Sequence, residues 1–156
     1  MASITNPNQA ILVATRHNKK ESIITICWHM RTSFRPELFA ISVGKKRFSY
    51  GLIKNSKCFS VNFMPFNLEK EIIYCGTHSG KNVDKFKETG LTKEECSKID
   101  CPRIKEALGY FECKVVKKII TGDHVIFVGE VLTSKLNKKG KRLFQVEGLK
   151  FTTTLN

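Results

Sequence analysis

The stretch FECKVVKKIITGDHVIFVGEVLT, residues 111–133, decides the fold. It splits into two runs rich in β-branched and aromatic residues, 111–120 and 124–133, joined through Thr121-Gly122-Asp123. Two such runs around a glycine-aspartate turn predict a long antiparallel hairpin. Working toward the N-terminus, KCFSVNF (57–63) alternates and reads as a strand, and residues 38–43 form a compact buried strand after the break at Arg35-Pro36. SIITICWH (22–29) and AILVAT (10–15) add two more strands. Toward the C-terminus, residues 142–146 and 149–154 form a last pair around Glu147-Gly148.

Helices are few and short. Ser49 is placed to cap a helix through residues 50–54, and Asn67 to cap one over 68–75, with Glu69 in its first turn. Residues 83–88 predict a short helix stopped near Gly90, and Thr92-Lys93-Glu94-Glu95 fits a capping box that would start another. Many short strands with a few mid-chain helices predict a β-dominated fold, a closed or partly open antiparallel barrel. The strand–helix alternation of a parallel sheet is missing, as is a GxGxxG dinucleotide fingerprint.

The chain has 156 residues, a length suited to a single domain over 1–156. Its N-terminal MASITNPNQ has neither a basic nor an apolar signal region, and its densest apolar run is far shorter than the roughly 20 residues of a membrane span. A soluble cytoplasmic protein is expected. The six cysteines contain no CxxC pair, so free thiols and no metal site are expected; Cys27, Cys58 and Cys113 sit in apolar company. The net charge of +13 attracts anions of every kind, or simply solvates a lysine-rich surface. No block of five like charges and no closely spaced aromatics on one strand appear, so nucleic acid is not an expected partner. GxSxG, HExxH and an obvious carboxylate pair are absent, which leaves hydrolase chemistry unsupported.

Three segments carry candidate chemistry. In VGKKRFSY (43–50) a strand ends, three cations follow and a hydroxyl residue opens a helix; exposed N–H groups with nearby cations make a phosphate site. Arg47 can hold phosphate bidentately. The alternative is a basic turn before an ordinary cap. In HSGKNVDKF (78–86) Ser79, Gly80 and Lys81 are placed to add donors to the same anion; the alternative is a solvated loop. Gly122-Asp123 places His124 at a strand start, either as a proton carrier or as a residue of the turn. Trp28 fills core or walls a planar ligand.

Taken in order, these segments resemble the flavin reductase-like, FMN-binding split-barrel family, in particular its flavoredoxin-type members. CGTHSGKNVDKF (75–86) followed by Gly90-Leu91-Thr92 is similar to the family's CGxxSGRDVDKF…GLT, and GDHVIFVGEV (122–131) to GDHxIFxGEV. Thr25-Ile26-Cys27-Trp28 and Phe59-Ser60-Val61-Asn62 match in place. The resemblance implies a split antiparallel β-barrel working as a homodimer, with FMN near the subunit interface. Its cofactor residues would be Thr25, Ile26, Cys27 and Trp28; Ser42, Val43, Gly44, Arg47, Phe48, Ser49 and Tyr50; Asn62; and Ser79, Gly80, Lys81 and Lys85. Arg47 and Ser49 would hold the phosphate, and His124 would sit at the catalytic face where a nicotinamide stacks. The implied function is electron transfer from NAD(P)H to flavin or another small acceptor; the alternative is an FMN carrier fed by a redox protein partner. Ser22, Lys81 and Asn82 depart from the family's asparagine, arginine and aspartate, which bears on fine flavin contacts.

Overall fold

The computed structural model describes residues 4–155. In chain order the strands and helices are β1 (Asn8–Gln9), β2 (Ile11–His17), β3 (Lys20–Ile26), β4 (His29–Phe34), β5 (Glu37–Gly44), α1 (Phe48–Ser56), β6 (Cys58–Phe63), α2 (Glu69–Thr77), α3 (Lys85–Thr89), β7 (Lys93–Glu95), β8 (Pro102–Ile104), β9 (Gly109–Thr121), β10 (His124–Leu136), β11 (Phe144–Glu147) and β12 (Lys150–Thr152). Seven strands form one antiparallel sheet in the order β3-β2-β6-β9-β10-β5-β4. The opposite edges, β3 and β4, are consecutive in the chain and joined only by Cys27-Trp28. A two-residue link cannot span a flat seven-stranded sheet, so the sheet curls until its edges meet. Ser42 N–H donates to the Trp28 carbonyl at 3.0 Å and ties the link to β5.

The long hairpin forms as the sequence predicts. Thr121 pairs with His124 across a two-residue loop, and Gly122 takes φ 56° at its first position, where a side chain would be strained. Inside the barrel, Ile11, Val13, Ile24, Ile26, Phe39, Ile41, Val43, Phe59, Val61, Val125 and Phe127 pack together with Ile53 of α1. Ala10, Leu12 and Ala14 belong to a second core with Ile72 and Cys75 of α2. β2 is therefore buried on both faces, which is why AILVAT reads as continuous rather than alternating.

Several expectations are corrected. The capping-box pattern at Thr92–Glu95 starts no helix; Lys93–Glu95 form β7, paired with β8. Each of its charges has a partner that favours the extended form: Lys93 with Glu21, Glu94 with Arg103 and Glu95 with Arg16. The α1 cap is Arg47 rather than Ser49, and α2 begins at Glu69 after a 3-10 turn over Phe66–Leu68. β4 is a strand that residue pattern does not announce, because its side chains are largely exposed.

Candidate functional site

One groove runs along the outside of the barrel in two connected parts. The larger, of about 400 Å³, is lined by Thr25, Ile26, Cys27, Trp28, Ser42, Gly44, Arg47 and His124, and on its far side by α2 and the β11–β12 hairpin. The smaller, of about 170 Å³, is lined by Arg47, Phe48, Ser49, Ser79, Gly80 and Lys85. Ile24, Arg47 and Thr77 border both.

The smaller part is rich in cations and hydroxyls. No side chain caps α1, and Phe48 and Ser49 of its first turn line the pocket. Arg16, Arg31, Lys93 and Arg103 are paired with carboxylates, whereas Arg47 is in no ion pair among the described residues. Lys85 is buried, and its Nζ donates to the carbonyls of Ile23 at 2.6 Å and Cys75 at 2.7 Å. An ammonium has three donors, so one N–H is left for a ligand. Burial lowers the Lys85 pKa to about 8; Cys75 works against that shift and Arg47 adds to it. No carboxylate lines this pocket. Gly80 approaches so closely that a Cβ there would meet Ser22 Oγ and stand 2.9 Å from Phe48 Cδ1, so only glycine lets the loop close over the start of α1.

The larger part is more apolar and ends in aromatic rings. Trp28 and His124 lie 4.8 Å apart between ring centroids, tilted by 39°. His124 Nδ1 donates to Asp123 Oδ1 at 2.7 Å, and that bond holds the Asp123 carboxyl below its usual range. With Nδ1 on Asp123, Nε2 is the ring nitrogen that remains. The Thr25 hydroxyl is already used, donating to the Ile72 carbonyl at 2.5 Å and fastening α2 to β3. Burial pushes the Cys27 thiol up to about 11, so it meets a ligand as a thiol.

Four sequence candidates lie off the groove. Val43 is fully buried in the barrel, and the Tyr50 ring packs on Phe127 at 5.9 Å. Asn62 is fully buried and spent internally: its amide donates to the Leu12 carbonyl and its oxygen accepts from Ile104 N–H. Lys81 lines an adjoining groove with Lys19 and Lys20, which shares Phe48, Gly80 and Lys85 with the smaller part. Sequence reasoning in turn missed Ile72, Ile73, Gly76 and Thr77 of α2, and Gln145, Gly148, Leu149 and Phe151 near the C-terminus. Gly76 and Thr77 lie within the 75–86 motif, and the others are wall residues without a chemical motif.

The chain matches the family described as flavin reductase like domain over residues 2–150. A protein of Archaeoglobus fulgidus is 38% identical over 114 residues, 73% of this chain but 64% of that protein's own length. Among solved structures, an FMN-binding protein from Thermus thermophilus superposes with a TM-score of 0.88 at 24% identity, covering 96% of this chain and 88% of that one. A flavoredoxin from Methanosarcina acetivorans does so with a TM-score of 0.88 at 23% identity, covering 100% and 92%. The β-dominated barrel with its few helices is thus the fold of these flavin proteins, and the chain belongs to the flavin reductase-like family.

Proposed function

We propose that this chain holds one FMN in the two-part groove and reduces it, or a small acceptor beside it, with electrons from NAD(P)H. The observation that carries the reading is a cation-rich, carboxylate-free pocket that shares Ile24, Arg47 and Thr77 with a more apolar cleft lined by Trp28 and His124. A single phosphate-sized pocket suits FMN, and the donor set of Arg47, Ser49, Lys85 and the start of α1 suits a phosphate. Arg47 straddles the two parts and would set how far the ring enters. Ile26, Cys27 and Trp28 would line the ring side, and Trp28 with His124 would form the face a nicotinamide approaches. The flavin supplies hydride and electron chemistry; the protein binds it, orients it and limits access.

A homodimer is part of this proposal. Met30 and Phe34 of edge strand β4 are exposed, at 61% and 83%, as are Ile120 and Leu136 of the long hairpin. Such edges and patches call for cover, and two-fold pairing is the commonest way to provide it. The second functional reading, an FMN carrier fed by a protein donor, is favoured by the charge of +13, which would recruit an acidic partner. Anaerobic addition of NADH and of NADPH to FMN-loaded protein separates the two: bleaching of the flavin band with turnover supports the reductase. Bleaching by dithionite alone supports the carrier.

Two further results are expected. Replacing His124 by alanine raises the KM for NAD(P)H several-fold while FMN affinity changes little; unchanged turnover with a lowered melting temperature would make His124 a residue of the turn only. The second concerns Lys85. Below pH 8 its ammonium is charged and available to an anion; above it the charge is lost. The preference for FMN over riboflavin should therefore fall about tenfold between about pH 7 and about pH 9.5. Stability moves the other way. Between pH 8 and 10.5 the unfolded chain keeps a proton that folded Lys85 has released, so this residue's contribution to stability rises with pH across that window. Fluorescence titrations at several pH values check the affinity, and a flat preference would remove Lys85 from the phosphate site.

A further inference from the structure

Away from the groove, the sulfurs of Cys58 and Cys101 lie 3.0 Å apart in the interior. They are 43 positions apart in sequence, Cys58 opening β6 and Cys101 standing just before β8. The contact between the two sulfurs, helped by the Ser56 hydroxyl, lowers the Cys58 thiol, while the same contact and burial raise the Cys101 thiol. The other cysteines differ. Burial holds Cys27 at about 11 and Cys75 and Cys96 at about 12, and it raises Cys113 as well. Only one cysteine is thus both thiolate-prone and in contact with a second sulfur. The pair lies beneath residues 96–100, a segment with exposed Ser97, Lys98 and Asp100 that a small oxidant can approach.

We propose that Cys58 and Cys101 form a reversible intramolecular disulfide, a two-electron redox pair separate from the groove, with a small hydroperoxide as oxidant. The Cys58 thiolate attacks the peroxide; its sulfur gains an oxygen as the O–O bond breaks, and the remaining oxygen leaves as hydroxide or alkoxide and takes up a proton. The Cys101 sulfur then attacks the Cys58 sulfenic acid. The S–S bond forms, the S–O bond breaks, and water leaves with the Cys101 proton. Two thiols give up two electrons and the peroxide is reduced by two. A small dithiol reverses the reaction by exchange.

The cross-link would tie β6 to a segment that already braces two other strands. Ser97 and Lys98 N–H donate to buried Glu112 of β9, and Asp100 pairs with Arg16 of β2. Oxidation therefore restrains the unfolded chain across a long loop while the folded chain needs little movement. The test treats the protein with hydrogen peroxide, alkylates remaining thiols after denaturation and maps the peptides. The expected result is loss of two of the six thiols, one joined peptide pair containing Cys58 and Cys101, and a higher melting temperature that dithiothreitol reverses. Cys101→Ala should abolish the melting shift and Cys96→Ser should retain it. If Cys101→Ala does not fold, the peptide map of the unsubstituted protein decides. No joined peptide, joining through Cys96 instead, or a melting shift that survives Cys101→Ala would overturn the proposal.

Discussion

Replacing Arg47 by alanine is expected to weaken FMN binding by about 10- to 150-fold while leaving riboflavin, which has no phosphate, nearly unchanged. The range follows from a charge-assisted hydrogen bond worth about 1.5–3 kcal/mol. Arg47 is suited to this role because no carboxylate pairs with it, while Lys85 adds a second cation to the same pocket. With Lys46 also lining the pocket, like charges stand close together there without a carboxylate, which is unfavourable until an anion joins them. Arg47→Lys should recover only part of the loss, since lysine keeps the charge without the planar fork. Paired fluorescence titrations with FMN and riboflavin measure the effect. Equal losses for both ligands would show that Arg47 shapes the ring side or the fold instead.

Truncating Phe127 to alanine is expected to cost about 3–5 kcal/mol of stability, read as a lower urea midpoint. Phe127 is 1% exposed in the barrel centre, paired in register with Ile41, and its ring meets Tyr50 of α1 at 5.9 Å. The cavity left behind would loosen both the barrel and the seat of α1. FMN affinity should therefore fall too, although Phe127 does not line the groove. Phe127→Leu, which preserves most of the volume, should cost much less. A small loss for Phe127→Ala would mean that the site collapses freely, and that α1 is held chiefly by other contacts.

What could be read from sequence follows from the physics of each segment. The 111–133 hairpin was legible because its strands are long, β-branched and closed by a turn with a glycine at the strained position. β2 was legible because a strand buried on both faces is apolar throughout. β4 was not, because an edge strand such as HMRTSF hides nothing and so shows no pattern. The 92–95 pattern misled because local capping chemistry lost to ion pairs with Arg16 and Glu21, far away in sequence, and with Arg103 opposite Glu94 on β8. Within the candidate site, the segments 44–49 and 79–85 that drew notice for their cations and small residues do come together, with Arg47, Phe48, Ser49, Ser79, Gly80 and Lys85 lining one pocket. Asn62 looked equally chemical, yet its amide is consumed in joining β2, β6 and β8. Its internal hydrogen bonds, and not burial, set it apart from buried Ser49 and Lys85, and such partners are not written in a single sequence. The hydrophobic wall from α2 and the C-terminal hairpin was invisible for the opposite reason: its residues look like any core.

The central claim is that the groove takes one FMN, phosphate in the pocket of Arg47, Ser49 and Lys85 and ring beside Trp28. Equilibrium titration of the purified protein with FMN, FAD and riboflavin, followed by absorbance and flavin fluorescence, tests it most directly. The account predicts one flavin per chain, a perturbed flavin spectrum, and FMN bound at least about tenfold more tightly than riboflavin and in preference to FAD. A colourless protein that leaves FMN fluorescence unquenched, or one that binds riboflavin as tightly as FMN, would contradict it.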